Sequence, residues 1–229
     1  MVECVKKGIE TLRKAQEGKD AVIHVSFVLD ETGSMESYKA ATISGFNEYV
    51  DGLRGRDALF TLVTFNSMET KRRYEGVPIK DVKALTDETY KPDATTPLYD
   101  AIIAAVGATK PEEGNSVLFI IMTDGLENAS KEATRDDVFK VIEGKKKDGW
   151  SFVFLGADQD AWAVGRSIGV FAGNTMSYAS AETGETFSAL CVATHCHVHR
   201  GAPSATTDFF TNPDFVAGDS GHWKSKEKS

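Results

Sequence analysis

The chain of 229 residues contains no uninterrupted apolar run near the roughly 18 residues that would suggest a membrane span. Its opening, Met1-Val-Glu-Cys-Val-Lys-Lys, has no apolar stretch of signal-peptide length. Cysteine is scarce. Cys4, Cys191 and Cys196 form an odd set without tight framework spacing, which fits a reduced intracellular chain better than a disulfide-built secreted one. A cytoplasmic protein is expected. An excess of basic charge is also missing, because 26 Lys and Arg stand against 34 Asp and Glu, for a net charge of −8. An acidic chain repels phosphate backbones, so neither nucleic acid nor a membrane is an expected partner, although cations are attracted. The sequence also lacks a G-x-x-x-x-G-K-S/T loop, a G-x-G-x-x-G fingerprint and a G-x-S-x-G elbow.

What is present is globular in character. Hydrophobic residues make 41%, charged residues 26% and aromatic residues 10%, and the length supports a core without disulfide or metal staples. With no internal repeat and no long linker, one domain is expected. Val2, Val5, Ile9 and Leu12 recur at helical spacing, which predicts an amphipathic helix over 1–18 packed on the domain. An α/β domain over 19–200 follows, and then a loosely ordered tail over 201–229. Phe209, Phe210, Phe215 and Trp223 could dock part of that tail.

Within the domain, apolar runs over 21–29, 58–65, 116–122 and 151–155 read as strands. Near-continuous apolarity fits strands buried on both faces of a parallel sheet. Helical stretches over 37–53, 97–109 and 134–147 alternate with them, and helices through 168 and over 183–199 follow a turn-rich break at Gly173-Asn174. Residues 69–77 suit an edge strand, with Lys71-Arg72-Arg73 guarding against edge-to-edge pairing. The alternation predicts a doubly wound, mostly parallel sheet with helices on both faces and one antiparallel edge strand.

Ligands bind such folds beyond the carboxyl ends of the strands. The first strand delivers Asp30-Glu31-Thr32-Gly33-Ser34 there, and Gly33 allows the tight bend between alternating oxygen-bearing residues. The strand ending at Met122 delivers Asp124, and the loop before a helix beginning at Pro97 offers Thr95 and Thr96. Two carboxylates with hydroxyls make an all-oxygen set suited to a hard divalent cation. Mg²⁺ is the first choice, Mn²⁺ also fits, and Ca²⁺ fits less well. With no histidine or thiol in these loops, zinc is disfavoured. Glu31 alternates away from the other side chains and reads as rim charge. Asp100, Glu127 and Asp158, near the same edge, read as structural.

The D-E-T-G-S-M loop resembles the D-x-S/T-x-S signature of von Willebrand factor type A (vWA) domains, which carry a metal-ion-dependent adhesion site (MIDAS). Thr95-Thr96-Pro97-Leu98-Tyr99-Asp100-Ala101 is similar to the family's G-T-P-L-x-D-A segment, and Thr123-Asp124-Gly125 matches its T-D-G. The resemblance covers roughly residues 20–170. Thr32 stands for the commoner serine, and Ala94-Thr95 for the usual glycine before Thr96. The stretches T-D-G-L-E-N-A-S and W-S-F-V-F-L-G-A-D-Q-D-A are similar to stand-alone bacterial and phage A-domain proteins. The resemblance implies metal contacts from Asp30, Thr32, Ser34, Thr96 and Asp124. It also implies a non-enzymatic module that binds a protein partner through its Asp or Glu.

Two other readings compete. Haloacid-dehalogenase-type phosphatases also place an aspartate after the first strand, but Thr32 stands where their second, acid/base aspartate belongs. A Mg²⁺- or Mn²⁺-dependent hydrolase is the alternative, and a scaffold with a purely structural metal is the third reading. Separately, Cys191, His195 and His199 stand four apart and would share one helix face, a spacing that can chelate Zn²⁺ or Ni²⁺. If that segment is extended, His195, His197 and His199 share a face instead. The plainer reading is a polar helix end without metal.

Overall fold

The computed structural model describes residues 22–157, 160–199 and 205–211. The helix expected over 1–18, Cys4, Asp158, and the part of the tail with Phe215 and Trp223 lie outside the described residues. Six strands form one sheet: β1 (Ile23–Asp30), β2 (Ala58–Phe65), β3 (Thr70–Pro78), β4 (Ser116–Thr123), β5 (Ser151–Ala157) and β6 (Thr175–Tyr178). Their spatial order is β3-β2-β1-β4-β5-β6. Only β3 runs antiparallel to its neighbour. The expected doubly wound α/β architecture with one antiparallel edge strand is the one observed.

Alternation along each strand sorts its side chains between two cores. From β1, Ile23, Val25, Phe27 and Leu29 face α1 (Lys39–Leu53) and α5 (Thr183–His199). Val28 faces the layer of α2 (Leu98–Ala108), α3 (Arg135–Lys147) and α4 (Ala161–Ser167). β4 divides in the same way, with Leu118, Ile120 and Met122 on one side and Val117, Phe119 and Ile121 on the other. These strands therefore read as unbroken apolar runs, and each fully buried side chain of this size contributes about 1.5–3 kcal/mol.

Local chemistry sets the helix ends. Thr134 and Asp137 form a capping box at the start of α3, and Lys145, Lys146 and Lys147 occupy its last turn, where the helix dipole favours cations. Pro97, expected as a first helical residue, is the cap preceding α2, with φ −85° and ψ 63°. The expected helix over 37–53 divides into a 3-10 turn over Gly33–Tyr38 and then α1. The sequence reading did not anticipate β6, a strand of four residues after the turn at Gly173-Asn174.

α1 and α5 approach closely because α1 carries glycines at their seam. A Cβ on Gly45 would lie 2.2 Å from Phe187 Cδ2, and one on Gly52 would lie 2.6 Å from Cys191 Sγ. Part of the tail is also docked: Phe209 and Phe210 are buried against the core. Asn174 anchors them, accepting from Phe209 N at 2.9 Å and donating to Thr206 O at 2.7 Å and to Phe152 O at 2.9 Å.

Candidate metal centre

β1 and β4 are adjacent parallel strands, so Asp30 and the Thr123-Asp124-Gly125 turn emerge side by side at the carboxyl edge of the sheet. Four of the five sequence-predicted residues are joined there by hydrogen bonds. The Asp30 carboxylate accepts from Thr32 N at 2.8 Å and from Thr123 Oγ1 at 2.5 Å. Ser34 Oγ donates to Asp124 Oδ1 at 2.7 Å and lies 3.3 Å from Thr32 Oγ1. Thr96 meets this group from the loop before α2: a Cβ on Gly125 would lie 2.9 Å from Thr96 Oγ1, so a side chain after Asp124 would displace that hydroxyl.

The electrostatics follow from burial. Asp30 is fully buried, and desolvation pushes its carboxyl up to about 6. Hydrogen bonds from Thr123 and Thr32 oppose that rise, and the neighbouring Asp124 charge adds to it. No lysine or arginine pairs with Asp30 among the described residues. Two carboxylates and three neutral hydroxyls are the donor set of a hard divalent cation, and a buried carboxylate without a cation is the kind of charge such an ion would neutralise. The residues present therefore fit a divalent metal.

Several supporting residues were not singled out in the sequence. Tyr90 donates its hydroxyl to Asp30 O at 2.6 Å, and nothing local in the sequence signals that contact across 60 positions. Thr123 had a signal, as the first residue of T-D-G. Glu31, expected as rim charge, is instead only 4% exposed. Arg73 Nη2 donates to both of its carboxylate oxygens, at 2.9 and 3.1 Å, while Arg73 Nε donates to Thr64 Oγ1. Lys91 N donates to Glu31 Oε1 at 2.7 Å. Alternation did turn Glu31 away from the site, but it turned the side chain inward, onto a guanidinium of the edge strand. One member of the Lys71-Arg72-Arg73 run thus points inward rather than guarding the edge.

The loop before Thr96 shows the cost of its missing glycine. Ala94 holds φ 65°, a left-handed conformation that glycine adopts more readily, while its carbonyl accepts from Gly33 N at 3.0 Å. Glu127 and Asp100 have the structural roles expected of them, as acceptors for backbone N–H groups.

The Cys191, His195 and His199 chelate does not form. The segment is helical, but His195 Nδ1 accepts from Arg56 Nε at 2.7 Å and its Nε2 donates to Gly52 O at 3.1 Å. Both ring nitrogens are thus engaged within the chain. Cys191 is buried, which pushes its thiol up to about 12. Among the described residues no group of three or more His, Cys, Asp or Glu could hold a metal ion.

This sheet order, with its single antiparallel edge, is the fold of a von Willebrand factor type A domain. Proximal thread matrix protein 1 from the mussel byssus superposes with a TM-score of 0.58 at 16% identity, over 80% of this chain and 46% of that one. The vWF domain of the type V pili tip protein Mfa5 from Porphyromonas gingivalis gives 0.58 at 10% identity, over 79% and 97%. The PilB minor pilin of Streptococcus sanguinis gives 0.58 at 12%, over 80% and 63%. The chain thus spans about half the length of the mussel protein, of which another structure is described with a zinc-occupied MIDAS motif. No protein-family model and no curated protein sequence matches the chain.

Proposed function

We propose that this chain is a divalent-metal-dependent protein-binding module, not an enzyme, in which Asp30, Thr32, Ser34, Thr96 and Asp124 hold Mg²⁺. The observation that carries the reading is the convergence of two carboxylates and their hydroxyl partners at one sheet edge, with Asp30 buried and paired with no lysine or arginine among the described residues. Bound there, the ion would supply a positive centre for the carboxylate of an Asp or Glu on a partner protein. The residues of the chain do the rest. Asp30 and Asp124 balance the divalent charge, while Thr32, Ser34 and Thr96 add oxygen ligands without further negative charge. Hydrogen bonds from Thr123 and Thr32 keep the Asp30 carboxylate aimed, and Tyr90 fixes the backbone beneath it. Met68 and Leu126, two large apolar side chains left exposed, stand on the loops flanking Thr96 and offer a rim for a protein surface. The pilus proteins among the structural neighbours support the same reading.

The test is capture of a partner from the native host on immobilised protein in Mg²⁺, with elution by EDTA. The captured protein should rebind wild type in Mg²⁺, and should lose binding with chelator and with Asp30→Ala or Asp124→Ala. Undiminished binding under all three conditions would defeat the metal-bridged reading. Lower thermal stability with binding intact would assign the ion a structural role instead. Turnover in phosphatase, nuclease or peptidase screens with Mg²⁺ or Mn²⁺ would favour the hydrolase.

A further inference from the structure

We infer that Asn128 is a positioning residue for this site: it fixes Thr96 beside the Asp124 loop and so sets the affinity for the ion. The inference rests on the metal-bridged reading. Thr96 lies in irregular chain, between strained Ala94 and Pro97, and no sheet ladder holds it. Asn128 does. Thr96 N donates to Asn128 Oδ1 at 2.9 Å, and Asn128 N donates to Thr96 O at 3.1 Å, which closes a two-bond ring around one residue. Thr96 is 3% exposed, so its N–H has little access to water if that acceptor is removed.

Asn128 is itself held in a braced segment. The Glu127 carboxylate accepts from Ala129 N at 2.9 Å, Ser130 N at 2.7 Å, Ser130 Oγ at 2.7 Å and Tyr99 N at 3.0 Å. Ser130 Oγ accepts from Tyr99 N and Asp100 N, both at 3.1 Å, and so serves the open N–H groups at the start of α2. The Asp100 carboxylate returns the contact, accepting from Lys131, Glu132 and Ala133 N at 2.8, 3.1 and 2.7 Å. The loop that carries Asp124 and the loop that carries Thr96 are therefore one braced body. The Asp30 loop joins it through two backbone bonds of 3.0 Å, Gly33 N to Ala94 O and Asp93 N to Glu31 O. Asn128 is thus the side chain that bonds the Thr96 backbone directly and holds its hydroxyl beside Gly125, the residue after Asp124.

Residues that orient metal ligands typically carry 10- to 100-fold in affinity. The experiment measures Mn²⁺ binding by electron paramagnetic resonance, with Mg²⁺ as competitor, on the full chain. Asn128→Ala should weaken both ions by about tenfold or more, and the milder Asn128→Ser should do the same. Asn128→Asp keeps the Oδ acceptor and should keep most of the affinity. Exchange of the Thr96 amide with solvent should speed up in the Ala and Ser variants and stay slow in the Asp variant. Thr109→Val, which removes the hydroxyl pair with Ser26 elsewhere in the fold, should lower stability without changing affinity. Wild-type affinity in Asn128→Ala, or equal weakening by Thr109→Val, overturns the inference and leaves the metal reading standing. Absence of any Mn²⁺ binding by wild type overturns both.

Discussion

On β1, His24 is fully buried, with Nε2 2.8 Å from Thr61 Oγ1 and no hydrogen bond at Nδ1. Burial lowers its pKa from 6.5 to about 4, so the fold holds the ring neutral. The unfolded chain takes up a proton below about pH 6.5, so stability is full above that pH and is lost as pH falls toward 4. The loss is about 3 kcal/mol from this group. Urea unfolding of wild type and His24→Gln at pH 7 and pH 4 isolates this group: on going to pH 4 the wild type should lose about 3 kcal/mol relative to the variant, whatever the other carboxylates contribute to both. Asp30 has the opposite sign: its pKa is raised, so without metal its ionisation weakens the fold as pH rises through about 6. At this scale the sequence marked the candidate ligands more plainly than the residues that support them. Asp30, Thr32, Ser34, Thr96 and Asp124 announced themselves through motif and order. Tyr90 did not, because a contact made across 60 positions leaves no local pattern.

Between elements, the α1–α5 seam depends on a missing side chain. Gly45 leaves the space that Phe187 fills, and the Phe187 ring stacks on Phe27 with centroids 6.2 Å apart. Gly45→Ala gains about 0.5–1 kcal/mol in helix propensity but puts a methyl 2.2 Å from a ring carbon. Overpacking of this kind costs about 1–3 kcal/mol, so thermal unfolding should show a lower Tm. Phe187→Leu in the same chain should recover part of the loss. The sequence showed both helices but not their seam, since periodicity reports which face is buried and not what meets it. Long apolar runs made β1, β2, β4 and β5 legible. β6 escaped because four residues, Thr175 to Tyr178, with a serine among them are too few to establish a period.

For the whole molecule, the sheet order places the site where the winding reverses, with β2 and β4 on either side of β1. A ligand that binds only the folded chain stabilises it by about 2.7 kcal/mol at a concentration 100 times its dissociation constant. Mg²⁺ should therefore raise the Tm of wild type by several degrees, and Asp124→Ala should abolish the increment in a calorimetric scan. The antiparallel edge also has a consequence for assembly. Arg73 reaches from β3, the outermost strand, to Glu31, which stands between the site residues Asp30 and Thr32. Side chains alternate with period two, so a slip of β3 by one residue would swing that guanidinium to the other face. The last strand of the sheet is thus tied to the first loop by a bond that forms only when the edge has zipped up in register, so completion of the sheet and closure of that loop are one event.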